Sequence, residues 1–405
     1  MTGLMDNFDF IRNINKDAER TLAGILSEDV KRFGLKSKEK QILDNSVATR
    51  DLDNAVVEFD HINIDSDEYI KIVMVNGIFR PEMSDSIPDY YNICSLSSSN
   101  QKQISKIADY SDNPIIAKNT ANFKDGIYIE SLTLCKKPVY LINYFSNDDK
   151  KSVVFPRIFV QCNKNSDMKI VEHNISSNVS DVFSNYVTEI NCDNNSNLEY
   201  YVIQNPETKL YISGSMSLNI KDSGNAKVTS CTFGGLFVKN YISCNLSGKY
   251  SNLILDGIFL GKNMEYIDNH TIIRHNAPFS TSSEKYKGIL DHKSEGNFNG
   301  LVYVSEGSHS IDSSQYNNNI LLSKSAKINS NPQLEIYCDD VKCAHGSTIG
   351  ELEEDAVLYL RSRGISIDES RSILLNGFIN EIIEQVSIPS LKLNLMDSIR
   401  DWMQQ

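Results

Sequence analysis

Three side chains with high affinity for metals and oxidants fall inside eight residues of QLEIYCDDVKCAHGSTIG, Gln333 to Gly350: Cys338, Cys343 and His345. The chain has only eight cysteines and seven histidines in 405 residues, so the grouping asks for a chemical reason. Thiolate and imidazole together suit iron, zinc or copper, and a neighbouring imidazolium lowers a thiol's pKa. If Glu335 to His345 is one extended strand, alternate side chains share a face. Cys343 and His345 then point one way with Val341 and Asp339, and Cys338 points the other way with Asp340 and Lys342. Cys343 and His345 are therefore the candidate metal ligands. Two ligands do not make a structural zinc site, which takes four. The rest must come from a second chain, or binding must be transient. A plainer reading stands beside this one, because a free cysteine packs like a small apolar side chain.

Other chemistry-bearing residues have ordinary explanations. In DNHTIIRH, His270 and His275 lie five apart, on opposite faces of a strand, and read as structural histidines. The acids Glu351, Glu353, Glu354 and Asp355 suit the first turn of a helix, where carboxylates oppose the dipole. There is no G-x-x-x-x-G-K-[ST], so this chain is not itself a P-loop ATPase, and neither G-x-S-x-G nor H-E-x-x-H occurs. A glycan-cleaving β-helix needs clustered carboxylates, and no spacing insists on them.

The elements that must position Cys343 and His345 follow from composition. Hydrophobic residues make up 40% and charged residues 23%, a globular balance, and 405 residues can form two or three domains. A net charge of −13 argues against a nucleic-acid binder, which needs a basic footprint. The start lacks a basic segment followed by an apolar run, and no stretch of eighteen apolar residues occurs, so neither export nor membrane spanning is expected. The eight scattered cysteines then read as reduced thiols of a cytoplasmic protein.

The chain divides into a helical and mixed region over 1–125, a β core over 126–350 and a helical domain over 351–405. In ERTLAGILSEDVKRFG the apolar residues Leu22, Ile25, Leu26, Val30 and Phe33 recur at helical steps. In the middle, strand-like pieces such as VYLINYF, LEYYVIQ, AKVTSCTF and FNGLVYV alternate with polar turns, and no ordinary helix interrupts them. That pattern admits a sandwich, barrel, propeller or solenoid. Asp256-Gly257-Ile258, Lys287-Gly288-Ile289 and Asn299-Gly300-Leu301 read as recurring corners and favour the solenoid, in which Asn, Ser and Thr can stack as ladders. After Gly350, three helices are expected. Gly364 ends the first, and Ser366 caps the second with Glu369 three residues on. Ile373, Leu374, Phe378, Ile379, Ile382 and Ile383 form its apolar face, and the third carries Trp402. Alone, these helices read as a cap on the solenoid.

PQLEIYCDDVKCAHGSTIGELEEDAVLYLRSRGI, Pro332 to Ile365, resembles the C-terminal signature of the SufB/SufD family of iron–sulfur cluster assembly scaffolds. Val341 to Gly346 and Leu360 to Gly364 have the form of its SufD branch. Asp268 to Thr271, Tyr286 to Leu290, Phe298 to Gly300 and Asn317 to Leu322 fit the same pattern, so the likeness runs from Tyr266 to Phe378. Cys338 stands where relatives usually carry alanine, Arg274 where many carry an acid, and Lys36 to Leu43 lacks the tryptophan segment common among them. The resemblance implies a right-handed parallel β-helix flanked by helices. It implies a non-enzymatic SufD-like scaffold that pairs with a SufB-like chain and docks the ABC-type ATPase SufC through its C-terminal helices. It makes Cys343 and His345 interface residues, His345 foremost. No tightly bound cofactor is expected, only iron or an iron–sulfur cluster held transiently at the partner interface, and the chain alone can pair with itself. The alternatives are a purely structural partner subunit and, further off, a glycan-active β-helix enzyme.

Overall fold

The computed structural model describes residues 15–21, 67–99, 104–111, 113–145, 152–176, 182–205 and 210–404. Over them the chain is mainly β, a parallel solenoid of about seven turns with helices toward both ends. From Arg157–Cys162 onward, successive strands alternate between two sheets. One sheet runs from Ile70–Val75 through Val139–Phe145 and Thr281–Leu290 to Ile311–Leu321 and Val341–Glu351. The other runs from Tyr91–Ser95 through Val182–Cys192 and Glu295–Val304 to Lys327–Ile336. The sheets thus reach back to Ile70. Pairing is parallel except at the first hairpin and between Tyr91–Ser95 and Ile127–Ser131. Asn197 pairs with Asn225 and Thr281 with Asp312, so a coil takes 28 residues at one place and 31 at another.

Alternation explains which side chains fill the coil. In Leu210–Ile220 the residues Leu210, Ile212, Met216, Leu218 and Ile220 join the core, and the serines between them face outward. The expected ladders exist. Outside, Asn219 donates to Asn191 at 3.3 Å, Asn245 to Asn219 at 3.1 Å and Asn276 to Asn245 at 2.8 Å. One corner repeats a left-handed residue at Asn165, Asn195, Ser223, Tyr250, Phe279 and Ser310. Asn tolerates that region, whereas an aromatic residue does so at a cost. Tyr250 and Phe279 offset it by stacking at 4.9 Å.

The three glycine echoes are not corners. Gly257, Gly288 and Gly300 lie within strands and make room for buried groups. A Cβ on Gly257 would come within 2.1 Å of the Tyr286 ring, and one on Gly288 within 2.3 Å of Phe259. Gly257→Ala should therefore lower stability by about 1–3 kcal/mol, since overpacking has no slack to use. An unchanged urea midpoint would show that the Tyr286 ring can move aside.

Among the described residues there are five α-helices, and all but the third bury at least one side chain. They are α1 (15–21), α2 (Pro114–Asn122), α3 (Glu354–Ser362), α4 (Ile367–Ile383) and α5 (Pro389–Gln404). Most of the segment 19–34 expected to be helical lies outside the described residues. Ser366 accepts from Glu369 N–H at 3.2 Å, as the capping pattern requires. Ile379, Ile382 and Ile383 are buried as expected, but Ile373 is 44% exposed and Leu375 takes the buried place. From α4 and α5, Leu375, Ile379, Ile382, Leu391, Leu395, Ile399 and Trp402 pack on Tyr140, Tyr201, Phe233, Ile258 and Ile289 of the sheet. Lys287 points outward from its strand, donating to Phe378 O and Glu381 Oε2 at 2.6 Å each. Lys285 also pairs with Glu381, and the two ammonium groups hold that carboxyl down to about 2. The helices therefore lie along the flank of the solenoid and do not close its end. α3 buries none of its residues.

Candidate functional site

Cys343 and His345 lie on Val341–Glu351, the last strand of its sheet, and the preceding strand fixes their direction. Ser313 pairs with Cys343 and Gln315 with His345. Both Ser313 and Gln315 are buried, so the residues stacked on them take inward positions. The two candidates share a face, as their spacing predicts. No coil follows among the described residues, so this inward face opens at the end of the solenoid, and His345 is exposed. Cys343 is half-buried against the core. Burial, with the nearby Asp312 carboxylate, pushes its thiol above the usual range, so the reduced residue sits protonated at neutral pH.

Cys338 is separated from this pair, though not by strand parity. The stretch from Glu335 to His345 is not one strand, because it turns between Ile336 and Val341 and passes from one sheet to the other. Asp340 makes the turn, its Oδ2 accepting from Ser310 N–H at 3.0 Å and Ser310 Oγ at 2.8 Å. Cys338, on the turn, meets an imidazole from the coil beneath, with Sγ 3.3 Å from His309 Nδ1. His309 carries no local motif and is found only through the register between coils.

His270 and His275 lie on opposite faces of their strand, as their spacing predicts. His270 faces outward and lies 2.9 Å from Asp268 Oδ1. His275 faces inward between Ser280 Oγ at 2.8 Å and Ser282 Oγ at 2.9 Å, and burial lowers its pKa to about 4. All eight cysteines are free. Among the described residues no three His, Cys, Asp or Glu side chains converge as a metal site. Cys343 and His345 remain a two-donor set, able to complete a shell for a borderline cation but not to enclose one.

Beneath the pair the interior is polar, which the sequence pattern did not disclose. Ser282 and Ser313 hydroxyls are 2.7 Å apart, continuing the line of His275 toward Cys343. Gln315 donates to Glu284 Oε2 at 2.6 Å, and Ser347 reaches Asn317 through Ser330, at 2.7 and 2.6 Å. Glu284 is fully buried, and desolvation raises its carboxyl to about 7. No helix among the described residues is long and apolar enough to cross a membrane.

A family model described as the SUF system FeS cluster assembly SufBD core domain matches residues 144–378. An iron–sulfur cluster assembly SufBD family protein of Synechocystis is 26% identical over 347 residues, 81% of this chain and 77% of its own length. The iron–sulfur cluster assembly protein SufD of Escherichia coli is 31% identical over 232 residues, 57% of this chain and 54% of its own. SufD of Bacillus subtilis is 22% identical over 284 residues, 67% of this chain and 62% of its own.

Proposed function

The chain belongs to the SufBD core-domain family of the SUF iron–sulfur cluster assembly system, and from that premise we propose that it is a SufD-type scaffold subunit, without catalytic activity of its own, in a cytoplasmic assembly complex. One observation carries the proposal: the solenoid ends in an open coil whose inward face presents the two-donor set Cys343 and His345. Lys327–Ile336 and Val341–Glu351 are the last strands of their sheets, with Ile336, Tyr337 and Ile349 exposed at this end. Such edges are templates for another chain, and a SufB-like solenoid fits them end to end. The second chain supplies the missing ligands, and iron or a nascent cluster is the cargo held between the two. His345 is the accessible donor. Cys343 joins only when the cation displaces its proton, because metal binding and thiol ionisation are linked.

The C-terminal helices support a second contact. α4 and α5 are anchored to the flank, while Leu358 and Tyr359 of α3 and Ile367 and Ile373 of α4 stay exposed. That surface suits docking of a SufC-like ATPase, whose closure would pull on helices tied to the solenoid through Glu381.

The test is iron loading of the reconstituted complex with His345→Ala. Loading should fall at least about tenfold, the order that loss of even an outer-shell contact costs a metal site. Wild-type loading by the variant would reject a direct role and leave a subunit that only shapes the complex.

A further inference from the structure

Under His345 the interior is closed around one amide. Gln315 and Glu284 are both 0% exposed. Gln315 Nε2 donates to Glu284 Oε2 at 2.6 Å, which fixes the way the amide faces, while its Oε1 is buried with no hydrogen-bond partner. Gly300 of the opposite sheet forms the slot, since a Cβ there would come within 2.4 Å of Gln315 Nε2. A buried carbonyl oxygen without a donor costs about 1–3 kcal/mol, so a native fold has reason to supply one. The register sets His345 against Gln315 on the side away from Glu284, and His345 belongs to the last strand of the sheet.

We propose that Gln315 and Glu284 are positioning residues for His345: Gln315 Oε1, unpartnered in the arrangement seen here, accepts one imidazole N–H when the His345 ring turns onto it, Glu284 holds the amide so that its oxygen faces that N–H, and the other ring nitrogen is turned to the open end with its lone pair free. A neutral imidazole has one donor and one acceptor nitrogen, so this contact selects the tautomer. The ligand so presented suits Fe(II) or another borderline cation. The idea rests on the proposed role of His345, but the hydrogen bond itself exists or fails without any cargo.

The experiment is nitrogen-15 NMR of histidine-labelled full chain, with the His345 signals assigned by their loss in His345→Ala. Wild-type His345 should hold one tautomer in excess, and Gln315→Leu should move the ratio about fivefold toward that of free imidazole, the factor set by a hydrogen bond of about 1 kcal/mol. Glu284→Leu, which unties the amide, should give the same shift, whereas Glu284→Gln keeps an acceptor and should give none. His275, held by its two serines, reports in the same spectrum that each variant is folded. If Gln315→Leu does not fold, Gln315→Asn withdraws the oxygen by one methylene and must shift the ratio in the same direction. A His345 tautomer ratio that is the same in wild type, Gln315→Leu or Gln315→Asn, and Glu284→Leu overturns the proposal. A tautomer shift together with full iron loading by His345→Ala would keep this contact and reject only the cargo role.

Discussion

Glu189→Ala should lower the stability of the chain by about 3–5 kcal/mol, the cost of stranding one partner of a buried ion pair. Glu189 and Arg157 are 0% exposed on neighbouring strands and meet at 2.5 Å. The carboxylate also accepts backbone N–H groups of Ser105 at 2.8 Å, Ile107 at 3.2 Å and Ala108 at 3.1 Å. Arg157 reaches Asn119 Oδ1 and Thr120 Oγ1 of α2 at 3.0 Å each. One carboxylate thus accepts from a buried guanidinium and three backbone amides, and it ties α2 and the 104–108 segment to the outer face of the sheet. Alanine removes the acceptor and leaves all four donors. The urea midpoint should fall, and amide exchange at Ser105, Ile107 and Ala108 should rise before the rest of the sheet is affected. Arg157→Met combined with Glu189→Leu should be much milder than Glu189→Ala, because no charge is then left unpaired. A midpoint within about 0.5 kcal/mol of wild type for Glu189→Ala, the size of an ordinary surface substitution, would show that solvent enters the pair.

What could be read from the sequence was local. Strands such as Val139–Phe145 match their apolar runs closely because alternation and the bounding polar turns act within a few residues. The positions of Cys343 and His345 were legible for the same reason, as two residues of one strand. The solenoid was rightly favoured over a sandwich, but the glycine echoes that favoured it are not corners, and coils of 28 and 31 residues smear any fixed period. Glycine misled because its role at 257, 288 and 300 is to vacate space for a ring or amide from another coil, which no local pattern shows. Cys338 lies apart from Cys343 and His345 for a reason that parity does not supply, for the strand ends before the Asp340 corner. Arg157, Glu189, His309, Glu284 and Gln315 gave no signal because their partners lie about thirty residues or more away, one coil or further along the chain.

The stability of the solenoid should also depend on pH through its interior, in a direction opposite to that of most carboxylates. Burial raises Glu284 to about 7 from 4.5, against the help of Thr271 and Gln315 and with the carboxylate of Asp256 adding to the rise. Asp256 is itself raised to about 6 by burial, although Lys227 and Lys285 oppose this, and Glu172 is raised by burial as well. A carboxyl raised on folding binds its proton more tightly in the native state, so its contribution is intact below about pH 4.5 and is lost as pH rises through about 7. His275, lowered to about 4, works the other way, since its neutral form favours the fold as pH rises from about 4 to 6.5. Between about pH 5 and 7 these groups partly cancel in the wild type, and a substitution separates them. Glu284→Gln keeps an amide oxygen for Gln315 Nε2 and removes the buried charge. The difference of about 2.5 pH units corresponds to about 3 kcal/mol. The variant should match wild type near pH 4.5 and exceed it by up to about that amount at pH 8, in urea unfolding followed across the range. An advantage of the same size at both pH values would mean that Glu284 is not the group carrying the charge. No advantage at pH 8 would mean that water or a cation reaches Glu284 Oε1, which has no hydrogen-bond partner, and already offsets the burial.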